Sequence, residues 1–260
     1  MRPYLVIARN TSTDSDNKIH DNDVARRYGF DGGLVPGVVV HAYLTHPPAE
    51  QWGLDWLKGG SISARFRKPV YDGDKVTVEC ERETTLVARR PSGEVAAEAH
   101  ITAPGAAPDV DVSRWPHLPL PAKQDRPPAS AEVLTAHRVL GALDVHFHGE
   151  LADLYLEAIG ETLPLYRDEG VAHPGWLIAQ ANYVLSANVV LGPWIHVQSD
   201  VTHFGVVRDG DVISTRAVVL GTSERRGHRF VDLDVLIVDG DERPVLRARH
   251  TAIYEPRSGS

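Results

Sequence analysis

The chain has 260 residues, 42% of them hydrophobic, enough to fill one large domain or two ordinary ones, so disorder is excluded as the whole account. No run of 18 apolar residues occurs, and the apolar stretch near the N-terminus is too short for a secretion signal; the expectation is a cytoplasmic protein that does not cross a membrane. The net charge of −8 comes from 35 acids and 27 bases spread along the chain, without the basic block that nucleic acid demands, and the lone Cys80 excludes an internal disulfide or a cysteine-rich zinc site.

The first polar cluster is Ser15–His20, followed by Asp21, Asn22 and Asp23, good helix-start residues that predict a short helix over residues 21–28. Gly32-Gly33-Leu34-Val35-Pro36-Gly37 then leads into Val38–Thr45, which is apolar on nearly every side, as a buried helix must be. Ile62, Ala64 and Phe66 alternate with Ser63, Arg65 and Arg67, and Val76, Val78 and Cys80 alternate with Thr77, Glu79 and Glu81. That period of two predicts half-buried antiparallel strands, and Leu86–Ala88 with Val95–Ile101 makes the next hairpin. Seven prolines between Pro104 and Ala131 predict a linker, with Trp115 and Leu118 lying against the protein surface. A second apolar helix is expected over Trp176–Val190, and strands over 195–204, 212–220, 230–238 and 245–254.

Two patterns recur in the same order. Pro36-Gly37 before the first apolar helix is echoed by Pro174-Gly175 at 138 residues, and Asp72-Gly73-Asp74 by Asp209-Gly210-Asp211 at 137. Asp-Gly alone is a common turn signal, but the ordered agreement predicts a duplication. Residues 1–103 and 132–260 are the two halves, and 104–131 joins them. Each half reads as a curved antiparallel sheet around one buried helix, an α+β class.

The segment Ser15-Asp16-Asn17-Lys18-Ile19-His20 resembles the Asp-x-Asn-Pro-Leu-His signature of MaoC-like dehydratases and (R)-specific enoyl-CoA hydratases, and Asp21, Ala25 and Gly32–Gly37 continue the likeness. The resemblance covers nearly the whole chain and implies a double hot-dog fold. It implies hydro-lyase chemistry on an acyl thioester carried by CoA or a carrier protein, with no metal or other cofactor. It also implies that the Gly37 amide polarises the thioester carbonyl, and that the half without the signature opens to hold the acyl tail. Two positions depart from the signature: Ser15 stands for its aspartate and Lys18 for its proline. Serine is no general base at neutral pH, so the Asp-His pair is not carried over, and Asp14 and Asp16 flank the gap.

His20 is therefore the candidate for proton transfer, with Asn17 to orient it; the competing reading makes His20 a cap of the helix behind it. Gly37 reads either as an oxyanion amide or as a site of close backbone packing. Tyr43, with His41 and His46 on the first helix, is a candidate for substrate contact or a core position, and Arg65 and Arg67 for a CoA phosphate or a solvated strand face. His146 and His148 read as a metal pair or as structural histidines. Gln180, Asn182 and Asn188 are unusual amides in an apolar helix, either tying it to strands or facing a pocket. A hot-dog thioesterase would need an acid on a central helix, which neither apolar run supplies. A repurposed protein that binds an acyl or polyketide-like ligand without turnover is the alternative, and pairing of two chains into a homodimer stays open.

Overall fold

The computed structural model describes residues 1–257. Among these residues ten strands form one antiparallel sheet in the order β1-β3-β4-β5-β2-β7-β10-β9-β8-β6. The first half supplies β1 (Tyr4–Ile7), β2 (Ser61–Phe66), β3 (Lys75–Arg82), β4 (Thr85–Arg89) and β5 (Val95–Thr102). The second supplies β6 (Leu143–His146), β7 (Ile195–His203), β8 (Val212–Arg225), β9 (His228–Asp239) and β10 (Pro244–Glu255). The order of one half mirrors that of the other about the β2–β7 pair, where Arg65 stands opposite Gln198 and Ile62 opposite Val201. The edge strands β1 and β6 were not predicted; each is only four residues long, too brief for an alternation signal.

The duplication is visible in individual hydrogen bonds. Gly73 N–H donates to Ala8 O as Gly210 N–H does to Phe147 O, and Val35 N–H donates to Val70 O as Ala172 N–H does to Val207 O. Leu34 bridges Tyr71 as Val171 bridges Arg208. Gly73 and Gly210 have φ of 82° and 90°, the left-handed region that a side chain disfavours, which is why both turns carry Asp-Gly-Asp.

Two helices fill the concave side, α2 (Gly37–Gly59) in the first half and α6 (Pro174–Asn188) in the second. They touch where a Cβ on Gly175 would fall 2.5 Å from the Ala42 Cβ, so this crossing requires glycine. The run predicted over Val38–Thr45 extends through Pro47, Pro48 and Glu50 to a break at Gly53 and then resumes to Gly59, taking in Asp55 and the buried Trp56 and Leu57. Shorter helices are α1 (Asn22–Arg27), α3 (Ala131–Ala136), α4 (Gly149–Ile159) and α5 (Leu165–Glu169).

Residues 104–131 cross the outer face of the second-half sheet. Trp115 is buried with Leu236 and Val238, its Nε1–H donates to Asp234 O at 2.9 Å, and the Arg247 guanidinium lies 4.8 Å from its ring while pairing with Asp234. With both faces covered, Val235–Val238 is a continuous buried run, not an alternating one. Leu118, expected against the surface, is 40% exposed. Among the described residues no helix is long and apolar enough to cross a membrane.

Candidate active site

A loop over residues 8–21 leaves β1 and ends in a single 3-10 turn, Lys18–His20. Its geometry is set by Asn17, whose side-chain amide pairs in both directions with the backbone of Trp194: Nδ2–H donates to Trp194 O (2.9 Å) and Oδ1 accepts from Trp194 N–H (3.0 Å). Trp194 immediately precedes β7, so a residue of one half is oriented by the other. The helix after the turn, α1, is capped by Asp21, whose carboxylate accepts from the Asp23 and Val24 amides. His20 is thus not the cap.

The hydrogen bonds of His20 fix its tautomer. Its Nδ1 lies 2.7 Å from the Leu34 carbonyl, which only accepts, so Nδ1 carries the proton; Nε2 then holds the lone pair, with the Asn17 amide nitrogen 3.3 Å away as a donor. Burial pushes the imidazole pKa below its ordinary value, with the Leu34 bond opposing that shift. His20 is therefore neutral at pH 7, with its Nε2 lone pair facing the Asn17 amide.

Asn17, His20 and Gly37 line one cavity of about 230 Å³. Gly37 is the first residue of α2, and among the described residues no acceptor meets its amide hydrogen. A helix N-terminus of this kind stabilises negative charge. Close packing is present as well, because a Cβ on Gly37 would fall 2.9 Å from His196 Nδ1. The remaining walls are mostly apolar, including Phe30, Val40 and Trp194, with Arg67 and Lys68 as cations and no Asp or Glu.

The other sequence candidates stand elsewhere. Ser15 lines a neighbouring groove and not the cavity, and its hydroxyl donates to the Asn17 carbonyl (3.2 Å). Asp14 and Asp16 are exposed. Tyr43 is buried in the core, where its oxygen accepts from the Arg9 amide, and Arg65 is exposed on β2 opposite Glu98 and Gln198; neither borders the cavity, so the expectation of substrate contact is corrected at both. His146 and His148 are exposed and stacked at 5.9 Å, and among the described residues no cluster suited to a metal occurs. Asn188 ties α6 to Gly141 and Gln180 bonds back to Trp176 O, whereas Asn182 borders the cavity.

His196 was missed by sequence reasoning. It sits at the start of β7, stacks on His250 at 4.2 Å, and its Nε2 lies 2.8 Å from Ser199 Oγ, which in turn lies 2.9 Å from His250 Nδ1. Burial and then the neighbouring His250 and His41 hold its pKa well below the ordinary imidazole value, so it is neutral. No short motif marks it; only the pairing of β2 with β7 brings it to Gly37.

Among its described residues the second half has no equal site. Gly149 N–H meets Asp209 as Asn10 N–H meets Asp72, but α4 begins at once there, so the Asn17–His20 loop has no counterpart. At the head of α6 the His173 side chain accepts from Gly175 N–H at 2.9 Å. His173 Nε2 faces Glu161, which also takes a 2.7 Å hydrogen bond from His46 Nδ1. Burial opposes charge on Glu161, yet hydrogen bonds from His173 and His46 hold its carboxyl well below the usual carboxylate range.

No protein-family model matches the sequence, and no curated protein matches it. Solved structures do. A conserved hypothetical protein from Mycobacterium tuberculosis, described as having a double hotdog fold, aligns at a TM-score of 0.58 and 17% identity over 97% of this chain and 95% of its own. A protein from Chloroflexus aurantiacus J-10-fl described as a MaoC domain dehydratase aligns at 0.57 and 13% identity over 99% and 95%. An N-terminal dehydratase from the difficidin assembly line aligns at 0.51 and 13% identity over 97% and 92%. This chain therefore has the double hot-dog fold, similar in structure to proteins described as MaoC-like dehydratases.

Proposed function

We propose that the chain is a hydro-lyase of acyl thioesters, interconverting a β-hydroxyacyl and an α,β-unsaturated acyl group in the His20 cavity. One observation carries this reading: a neutral imidazole with its lone pair fixed at Nε2 and an unpaired helix-terminal amide at Gly37 border the same cavity. In the dehydration direction Nε2 takes the proton from Cα, and the C–H electron pair passes to an enolate whose oxygen accepts from Gly37 N–H. The enolate collapses to the double bond, the Cβ–O bond breaks, and the Nε2 proton leaves with the oxygen as water. Hydration is the reverse. Because Ser15 is not in the cavity lining and, among the described residues, no carboxylate is, His20 serves both steps alone.

The thioester carrier, CoA or a carrier protein, would meet Arg67 and Lys68, exposed cations that line the cavity and suit its phosphates, in exchange for their pairing with Glu98 and Glu94. The missing carboxylate also favours a second reading, a repurposed hot-dog protein that binds an acyl or polyketide-like ligand without turnover. Exchange of the Cα protons of a saturated acyl thioester in D2O, followed by NMR, separates the two. The lyase reading expects exchange that is lost in His20→Asn, and the binding reading expects none in either protein.

A further inference from the structure

The head of α2 rests on a buried cluster that the proton transfer at His20 does not use: His196 and Ser199 of β7, His250 of β10, and His41 of α2 itself, none more than 5% exposed. Hydrogen bonds orient it. His196 Nε2 lies 3.2 Å from the Gln198 carbonyl, which only accepts, so Nε2 carries the proton and shares it with Ser199 Oγ at 2.8 Å. The Ser199 hydroxyl then donates to His250 Nδ1 at 2.9 Å. The His196 ring is thus tied at Nε2, stacked on the His250 ring at 4.2 Å, and met by the Phe66 ring in a T-shaped contact at 4.7 Å.

Its remaining edge meets Gly37. A Cβ on Gly37 would fall 2.9 Å from Nδ1, 3.1 Å from the His196 Cβ and 3.2 Å from Cγ, so ring and helix head touch without slack. Nδ1 is buried and has no hydrogen-bond partner, which leaves His196 to act through Gly37 and not on a ligand. Both ring nitrogens of His41 and Nε2 of His250 are unpaired as well. Buried unpaired nitrogens cost stability, and hydrocarbon would fill the same space without that cost; local rules are broken in this way where a site needs a fixed shape.

The second half shows what the arrangement prevents. There an imidazole Nδ1, that of His173, takes the Gly175 amide hydrogen at 2.9 Å. His196 Nδ1 holds the same lone pair beside Gly37, yet among the described residues the Gly37 amide has no acceptor. We infer that His196 is a positioning residue: tied to Ser199 and stacked on His250, its ring fixes the first turn of α2 and leaves the Gly37 amide open to the thioester oxygen. This rests on the lyase reading of the cavity.

Hydration of an enoyl pantetheine thioester tests it in wild type, His196→Ala and Ser199→Ala, with sites counted by calorimetric titration of the saturated thioester so that rates refer to folded sites. A misplacement of about 1 Å costs about a hundredfold in rate, so kcat per site is expected to fall about ten- to a hundredfold in His196→Ala. Affinity for the saturated thioester, on which no charge develops, should change little. Ser199→Ala keeps the ring but frees it to accept from Gly37 N–H, and kcat should fall about tenfold; this variant also serves if His196→Ala does not fold. Gly37→Ala links the two residues. Its Cβ presses on the fixed ring, so the loss it causes should be smaller in His196→Ala, where Nδ1 and Cγ are gone, than in wild type.

Unchanged kcat per site in either variant, a loss confined to thioester affinity, or losses that simply add to those of Gly37→Ala overturn the inference. If wild type hydrates no enoyl thioester, the lyase reading falls and takes the inference with it.

Discussion

Gly37 and Pro174 occupy the same place in the two halves, the first residue of the central helix, and only Gly37 carries an amide hydrogen. The backbone establishes the equivalence: Val39 and Val40 donate to Pro36 O as Trp176 and Leu177 donate to His173 O, the same offset of 137 residues found for the turns and bridges. The Pro-Gly echo at 138 is therefore one residue out of structural register. Gly175 corresponds to Val38, and its amide is taken by His173. The amide that could hold an oxyanion is absent from one half by chemistry, not by packing. One acyl thioester per chain is the expected calorimetric stoichiometry; two would show that the Gly175 end also binds.

Turnover should follow the titration of His20. Burial lowers its folded pKa, so the free base is already dominant at neutral pH. Protonation at lower pH blocks Nε2, and kcat/KM is expected to be flat from about pH 7 upward and to fall on an acid limb whose midpoint lies below the ordinary imidazole pKa of about 6.5. A midpoint above that value would mean that another group controls the rate.

Asn17→Ala removes both bonds to Trp194 and the donor facing His20. A net loss of about 1–3 kcal/mol is expected from chemical denaturation, since each hydrogen bond contributes about 0.5–1.5 kcal/mol. The accompanying loss of activity should exceed that of a variant equally destabilised elsewhere.

Acid should unfold this protein early. His41, His203 and His250 are fully buried, and burial pushes their pKa values down to about 3, about 4 and about 3. Both ring nitrogens of His41 lack partners. Above pH 6.5 these groups are neutral in both states and their contribution to stability is complete. As pH falls below 6.5 the unfolded chain takes up protons that the fold refuses, so stability drops until the folded values are reached. By pH 5 the loss is about 2 kcal/mol for each imidazole that stays neutral. Three such groups approach the roughly 5–15 kcal/mol that holds a typical protein together. The melting temperature should fall steeply between pH 6.5 and 4.5, and His41→Leu should flatten that dependence.

Trp115→Ala tests the strap across the second-half sheet. Loss of a fully buried tryptophan costs about 3–5 kcal/mol, so a marked drop in melting temperature is expected, with thioester affinity unchanged in the folded fraction.

Sequence periodicity made most of this architecture legible, because β3, β5 and the long second-half strands bury one face or a continuous run, and the central helices are apolar on all sides. The Asn17–His20 loop and Gly37 were picked out by the resemblance to the dehydratase signature, and they line one cavity. Their relation to His196 and Trp194 was not picked out, since it arises from β2 pairing with β7 across more than a hundred residues. Tyr43 misled because a helix that is apolar all round gives no sign of which side faces a pocket. Arg65 misled because strand alternation gives the face but not the neighbours. Ser15 occupies its signature position, yet its hydroxyl turns back to the Asn17 carbonyl, a local bond that spacing does not reveal.

The central claim, that His20 alone transfers the proton in a thioester cavity, is tested most directly by hydration of enoyl thioesters, read as loss of their absorbance, with wild type, His20→Asn and Ser15→Asp side by side. The account expects measurable wild-type hydration, a loss of about a hundred- to ten-thousandfold in His20→Asn with the fold retained, and no gain in Ser15→Asp. Hydration that survives in His20→Asn, or that rises sharply in Ser15→Asp, would contradict it.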